Sequence, residues 1–125
     1  MILDTNALSA FVEGDRQLVT LLRAHEHLSI PVIVLGEYRF GIAALSKREA
    51  YEAWLHSYLT RFDVLPITAE TADVYAALRV ALKAAGTPIP ANDAWIAAVA
   101  LQHRLPLASR DAHFDNVRGL RRMAW

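Results

Sequence analysis

The chain has 125 residues, 54% hydrophobic and 21% charged, and its 13 basic and 13 acidic side chains cancel to a formal net charge of zero. That apolar content builds the core of one domain, expected to span residues 1–125, and excludes a disordered tail. Neutrality excludes a uniformly basic nucleic-acid coat but allows a local basic patch, and the absence of cysteine removes disulfides, thiol nucleophiles and sulfur-ligated zinc.

No apolar run reaches the roughly 18 residues of a membrane-spanning helix, so no membrane association is expected. The first residues, Met-Ile-Leu-Asp, have no basic segment followed by an apolar stretch. A secretion signal is therefore not expected, and the cytoplasm is the default compartment.

In chain order, Met1 to Leu3 reads as a short buried strand and Thr5 to Val12 as a helix that Gly14 ends. Leu18, Leu21 and Leu22 recur at helical spacing within a helix expected over Gln17 to Glu26. Leu28 to Ile30 suits a strand. Pro31 then suits a first helical turn, and the apolar run from there is expected to stay helical to about Ala44. Ser46 with Glu49 forms a candidate capping box for a helix to about Phe62. Val64-Leu65 is a short strand. Thr68 can cap a helix with Tyr75, Leu78, Leu82 and Ala85 on its apolar face, stopped by Gly86 and Pro88. Ala91 to His103 is apolar nearly all round, which predicts a buried helix, and Leu105 to Ala108 reads as a strand. Short strands alternating with helices imply an α/β sandwich with a mainly parallel sheet.

Most of the acids sit on helix faces or near helix starts and need no special role. Four differ. Asp4 directly follows the first apolar run, Glu37 lies inside an apolar helix, Asp93 opens the most apolar helix, and Asp111 lies just beyond the strand ending at Ala108. In an open parallel sheet, ligands bind outside the carboxyl ends of the strands. Asp4 and Asp111 belong at that edge, and the helices carrying Glu37 and Asp93 can face the same crevice. Carboxylates gathered in one cleft repel and resist desolvation unless a divalent cation neutralises them. An all-oxygen donor set suits Mg²⁺ or Mn²⁺, which can activate water and stabilise a phosphodiester transition state. Each acid also has a plainer reading: a cap for Asp4, a solvated helix position for Glu37, a dipole-favoured start for Asp93 and a turn for Asp111.

Thr5 and Asn6 can assist by hydrogen bonding or simply cap a helix, and Ser109 can orient a ligand or occupy a plain turn. Asp115 is either an additional acid at the rim or a solvated residue. The histidines offer no H-x-x-x-H pair for zinc; His103 is expected to end a helix and His113 to lie on the surface near the site. Tyr38, Trp54, Trp95 and Phe114 are expected in the core rather than as platforms for bases. No phosphate-binding glycine loop and no nucleophile elbow occurs.

Four segments together resemble the PIN-domain family, specifically its VapC-type toxins, with FitB-like members close in pattern. They are Ile2-Leu3-Asp4-Thr5-Asn6, Leu35-Gly36-Glu37-Tyr38-Arg39-Phe40-Gly41, Pro90 to Ala98 around Asn92-Asp93, and Leu107-Ala108-Ser109-Arg110-Asp111-Ala112-His113-Phe114. Their order and spacing span essentially the whole chain. The resemblance implies a three-layer α/β/α sandwich with a short, mainly parallel central sheet. It also implies a Mg²⁺- or Mn²⁺-dependent endoribonuclease acting as the toxin of a type II toxin–antitoxin pair. By match, Asp4, Glu37, Asp93 and Asp111 become the metal ligands, with Thr5, Asn6, Ser109 and Asp115 as accessories. Water activated at the metal would cleave RNA to leave a 5′-phosphate and a 3′-hydroxyl. A homodimer and inhibition by a cognate antitoxin are further implications.

Between Arg104 and Arg122 five arginines face two aspartates, a local excess that can hold phosphates around an acidic centre. Arg39, Arg110 and Arg118 are the candidate RNA contacts, and unpaired RNA is the expected form. A phosphoacceptor receiver would need an acidic pair after the first strand and a lysine near the last, and an Asp-x-Asp phosphohydrolase would need an acid where Asn6 stands. The remaining alternative is a catalytically silent PIN fold that serves as a regulatory or antitoxin-binding module.

Overall fold

The computed structural model describes all 125 residues. Five short strands, β1 (Ile2–Leu3), β2 (Ser29–Pro31), β3 (Asp63–Leu65), β4 (Leu107–Ala108) and β5 (Arg122–Met123), form one sheet in the order β3-β2-β1-β4-β5. Every pairing is parallel. Six α-helices connect and cover the strands: α1 (Thr5–Val12), α2 (Arg16–Leu22), α3 (Val32–Ile42), α4 (Arg48–Leu59), α5 (Ala69–Ala84) and α6 (Ala91–His103). A 3₁₀ turn spans Ala112–Asn116. The result is the three-layer α/β/α sandwich expected of alternating strands and helices. No helix is long and apolar enough to cross a membrane.

The three inner strands are fully buried, whereas β3 and β5, at the edges, are partly exposed. Burial on both faces explains why β1 and β4 contain only apolar residues. The chain moves outward from β1 to β2 and β3, then returns through α5 and α6 to β4 on the other side of β1. Strand order therefore reverses at β1/β4, where Ile2 pairs with Leu107 and Leu3 with Ala108. A crevice opens at the carboxyl ends of such strands.

The connections there are minimal. Asp4 alone separates β1 from α1, and Pro31 both ends β2 and caps α3. Helix α6 buries Ala94, Ile96, Ala97, Ala98, Val99 and Ala100, as its all-round apolarity predicts.

Several local expectations need correction. Helix α4 has Lys47 at its N-cap with no side-chain hydrogen bond, so Ser46 and Glu49 form no capping box. It ends at Leu59 rather than Phe62, α3 ends at Ile42 rather than Ala44, and α2 starts at Arg16 and ends at Leu22 rather than Glu26. Asp15 sets that start by accepting from the backbone N–H groups of Gln17 and Leu18. Strand β5 has no apolar run to announce it. Its backbone pairing with β4 defines it, with the Leu107 N–H donating to Arg121 O at 2.9 Å and the Ser109 N–H donating to Met123 O at 3.2 Å.

Candidate metal and nuclease site

One cleft at the carboxyl edge of the sheet, about 540 Å³ in volume, is lined by Asp4, Glu37, Asp93 and Asp111 together with Thr5 and Asn6. The four acids arrive from four segments: the β1–α1 junction, the middle of α3, the first turn of α6 and the segment after β4. Folding thus gathers four side chains that are distant in sequence into one opening. No three of them converge on a single point as they stand.

Three of the carboxylates are held by a side-chain hydrogen bond, and the fourth, Asp93, stands against a histidine. Asp4 Oδ1 accepts the Ala7 N–H at 2.9 Å, which caps α1, and Asp4 Oδ2 accepts a hydrogen bond from the Ser109 hydroxyl. The cap and the cleft position are therefore compatible roles of one residue. Ser109 Oγ in turn accepts the Asp111 N–H at 3.0 Å, coupling the two strand-end acids. Asn6 Nδ2 donates to Asp111 Oδ2 at 3.0 Å, and Asn6 Oδ1 accepts the Arg110 N–H at 3.2 Å. Thr5 Oγ1 donates to Glu37 Oε1 at 3.2 Å. His113 Nε2 lies 3.0 Å from Asp93 Oδ2, off the line of a straight hydrogen bond. Partners of this kind fix the rotamers of groups that hold an ion.

The electrostatics follow from burial. Desolvation raises the Asp4 carboxyl to about 6, with repulsion from Asp111 and Asp93 adding to it and the hydrogen bonds from Ser109 and Ala7 opposing it. Burial also raises Glu37, with repulsion from Asp93 adding and Thr5 opposing. Burial likewise raises Asp93; His113 opposes this and Asp111 adds to it. These carboxylates hold negative charge reluctantly, and their donors are oxygen alone. That chemistry fits a hard divalent cation.

Ser9 and Glu13 also line the cleft, and sequence reasoning missed both. The four-residue spacing of Thr5, Ser9 and Glu13 along and just past α1 was the available signal, since it marks one face of a helix. His113 stands near the site, as its position predicts, but is half-buried against Asp93 rather than on the open surface. Asp115 is exposed and does not line the cleft; both its oxygens accept from Arg122 at 2.8 Å.

Of the arginines, Arg110 lies on the rim of the cleft, held 2.9 Å from Asp15 and 4.7 Å over the Trp125 ring. Arg39 pairs with Glu52 at 3.6 Å, and Arg118 is exposed. Arg104 and Arg121 line a different cavity, at the amino ends of β4 and β5. The run of arginines therefore does not form one basic rim, because residues before and after a parallel strand emerge at opposite edges of the sheet. Phe114 and Tyr38 are buried as expected, while Trp54 and Trp95 are half-buried.

Residues 1–120 match the PIN domain family. The chain is 33% identical over 121 residues to ribonuclease VapC5 of Mycobacterium tuberculosis, covering 94% of this chain and 87% of that protein. Toxin FitB of Neisseria gonorrhoeae is also 33% identical over 121 residues, covering 89% of this chain and 87% of its own length. A shorter match to ribonuclease VapC4 of M. tuberculosis, 36% identical over 84 residues, spans 66% of this chain and 65% of that protein. Among solved structures, FitAcB from N. gonorrhoeae aligns with a TM-score of 0.88 at 31% identity, covering 98% of this chain and 95% of that one. VapBC-5 from M. tuberculosis, described as a member of the VapBC family of toxin–antitoxin systems, aligns with a TM-score of 0.74 at 30% identity over 98% and 94% of the two chains. With its fold, its acidic cleft and these similarities in agreement, the chain belongs to the PIN-domain family and, within it, groups with the VapC and FitB toxins.

Proposed function

We propose that this protein is an endoribonuclease, the toxin of a type II toxin–antitoxin pair, and that it cleaves RNA phosphodiesters with Mg²⁺ or Mn²⁺. The observation that carries this reading is the gathering of Asp4, Glu37, Asp93 and Asp111 in one cleft at the β1/β4 reversal, in a chain similar to proteins named ribonucleases. Those four residues would hold the cation. When bound, it would lower the pKa of a water molecule and offset charge building on the phosphate.

The chain itself supplies orientation. Ser109 positions Asp4 and Asp111 together, Thr5 positions Glu37, Asn6 positions Asp111, and His113 stands against Asp93. Arg110 is the cationic side chain on the cleft rim, suited to hold a phosphate beside the acids. Arg39 and Arg118 are candidates for more distant backbone contacts. Asp115, bound to Arg122, acts at most through the Arg122 Nη1 group that donates to Ser109 O at 3.2 Å.

The similarity to FitAcB and VapBC-5 supports a protein antitoxin as partner. A homodimer, the assembly that the family resemblance implies, is part of the same proposal. The test is cleavage of structured RNA by purified, antitoxin-free protein. Cleavage should require added Mg²⁺ or Mn²⁺ and stop in Asp4→Asn and Asp93→Asn. Cleavage that persists in EDTA overturns the proposal.

A further inference from the structure

Arg110 is the cation on the rim of the acidic cleft, and three contacts hold it there. Its backbone N–H donates to Asn6 Oδ1 at 3.2 Å, its Nη2 donates to Asp15 Oδ2 at 2.9 Å, and its guanidinium lies 4.7 Å over the Trp125 ring. The holders are themselves anchored. Asp15 Oδ1 accepts from the Gln17 and Leu18 N–H groups at the start of α2, which leaves Oδ2 for Arg110. Trp125 packs against the hydrophobic core just past β5.

This placement runs against the local field. Asp4, Glu37, Asp93 and Asp111 line the same cleft as Arg110, and Asp111 is its neighbour in the chain. An unrestrained cation beside clustered, partly desolvated carboxylates is drawn among them. Arg110 is instead paired with a carboxylate outside the cluster, and no arginine lies within ion-pair distance of the four acids. The cap of α2 accounts for Asp15 Oδ1 but leaves the engagement of Oδ2 unexplained. An Arg110 that swung inward would act as an internal counter-ion and compete with any bound cation.

We propose that Asp15 and Trp125 are positioning residues that hold Arg110 on the rim, available to a substrate phosphate, and keep it out of the carboxylate cluster, so that the cluster stays open to a divalent cation. The inference rests on the metal-dependent nuclease reading of the cleft. Asp15 takes one nitrogen of the guanidinium fork. The remaining N–H donors suit the oxygens of a phosphate, which a planar fork binds two at a time.

Two measurements on the full-length protein test this. In the first, Mn²⁺ alone is titrated calorimetrically into the wild type and variants at one fixed pH. Asp15→Asn removes the charge and keeps an oxygen to cap α2. With Arg110 then inside the cluster in most molecules, the apparent Mn²⁺ affinity should fall about tenfold. Trp125→Leu keeps an apolar side chain and alters no charge, and it should cost about threefold. Adding Arg110→Gln to either variant should restore the affinity to within about twofold of the wild type, because the competitor is gone. Unchanged affinity in both single variants overturns the inference. So does a loss that Arg110→Gln does not restore. A loss in Asp15→Asn without one in Trp125→Leu also overturns it, since a charge acting at a distance then suffices.

The second measurement separates kcat from KM for RNA cleavage at saturating Mn²⁺, where the metal has expelled Arg110 from the cluster. Trp125→Leu and Asp15→Asn should raise KM about three- to tenfold and leave kcat within about twofold, because a phosphate contact has lost its orientation. A fall in kcat with KM unchanged overturns the phosphate role. RNA cleavage by a wild type whose Mn²⁺ affinity ignores Asp15 and Trp125 removes the positioning role and leaves the nuclease standing. Arg110-dependent Mn²⁺ binding without any cleavage removes the nuclease and leaves the positioning role.

Discussion

The acids of the cleft and the acids of its surroundings are treated in opposite ways. Asp15 and Asp115, on the exposed rim and beyond it, are met by hydrogen-bond donors and arginines. Backbone N–H groups and Arg110 hold Asp15 below the ordinary carboxylate range, and Arg122 does the same for Asp115. Asp4, Glu37 and Asp93 lie deeper and are raised by burial, and the partners of Asp4 and Glu37 are neutral hydroxyls and amides. Arg110, the cation nearest the cleft, is drawn toward Asp15 and Trp125. The fold thus satisfies its peripheral carboxylates with arginines and leaves the central ones without an arginine partner, Asp93 alone having a histidine beside it. Stability alone would favour pairing all of them. A cluster left short of positive charge is positioned to take it from outside, at a cost in stability that a bound cation can offset.

The largest effect should come from neutralising the central acids. Asp4→Asn or Asp93→Asn should lower metal-dependent RNA cleavage by about a hundredfold or more, measured as initial rates at saturating Mg²⁺. A loss of less than about threefold would show that the raised carboxylates are not those that hold the cation.

Thermal unfolding in EDTA probes the same contrast without catalysis. An acid whose folded pKa lies above its unfolded value binds its proton more tightly in the folded state, so stability falls as pH rises between the two values. For Asp4, raised from 3.8 to about 6, the cost at neutral pH is about 3 kcal/mol. Glu37 and Asp93 shift in the same direction. Asp15 and Asp115 shift the other way; their stabilising contribution is lost only below the ordinary carboxylate range, outside this window. The melting temperature should therefore decline from about pH 4 to pH 7, and Asp4→Asn should flatten the decline. Mg²⁺ or Mn²⁺ should raise the melting temperature above pH 6 and have little effect near pH 4. A metal effect independent of pH would contradict this.

Ser109→Ala removes the donor to Asp4 and the acceptor for the Asp111 N–H. It should cost about 10- to 100-fold in apparent metal affinity, read from the Mg²⁺ dependence of cleavage. Asp115→Asn should give the smallest response: a slight loss of thermal stability that disappears at high salt, as expected of an exposed pair. A large activity loss in Asp115→Asn would mean that the Arg122 contact to Ser109 carries the Asp115 charge into the cleft.

What was legible in the sequence was local and repetitive. The apolar run before Asp4, the helical spacing of Leu18, Leu21 and Leu22, and the all-round apolarity of Ala94 to Ala100 each depend on a period or a composition within a dozen residues. Such patterns dictate which elements form and, through the rule for parallel sheets, at which edge Asp4 and Asp111 emerge. Element ends were less legible. The Ser46 and Glu49 pair had a capping pattern that was not used, and β5 carries no apolar pattern because its definition lies in its backbone bonds to β4.

The tertiary structure decided what no window of sequence encodes: which side chains meet and what medium surrounds them. His113 reaches Asp93 across 20 positions, Asn6 reaches Asp111 across 105, and Arg110 turns to Asp15 across 95. The sequence alone determined that four acids border apolar segments, because burial preferences are written into each residue type. That Asp4 titrates near 6 while Asp115 falls below its usual range depends on desolvation and on partner distance, and both exist only once the chain has closed around them.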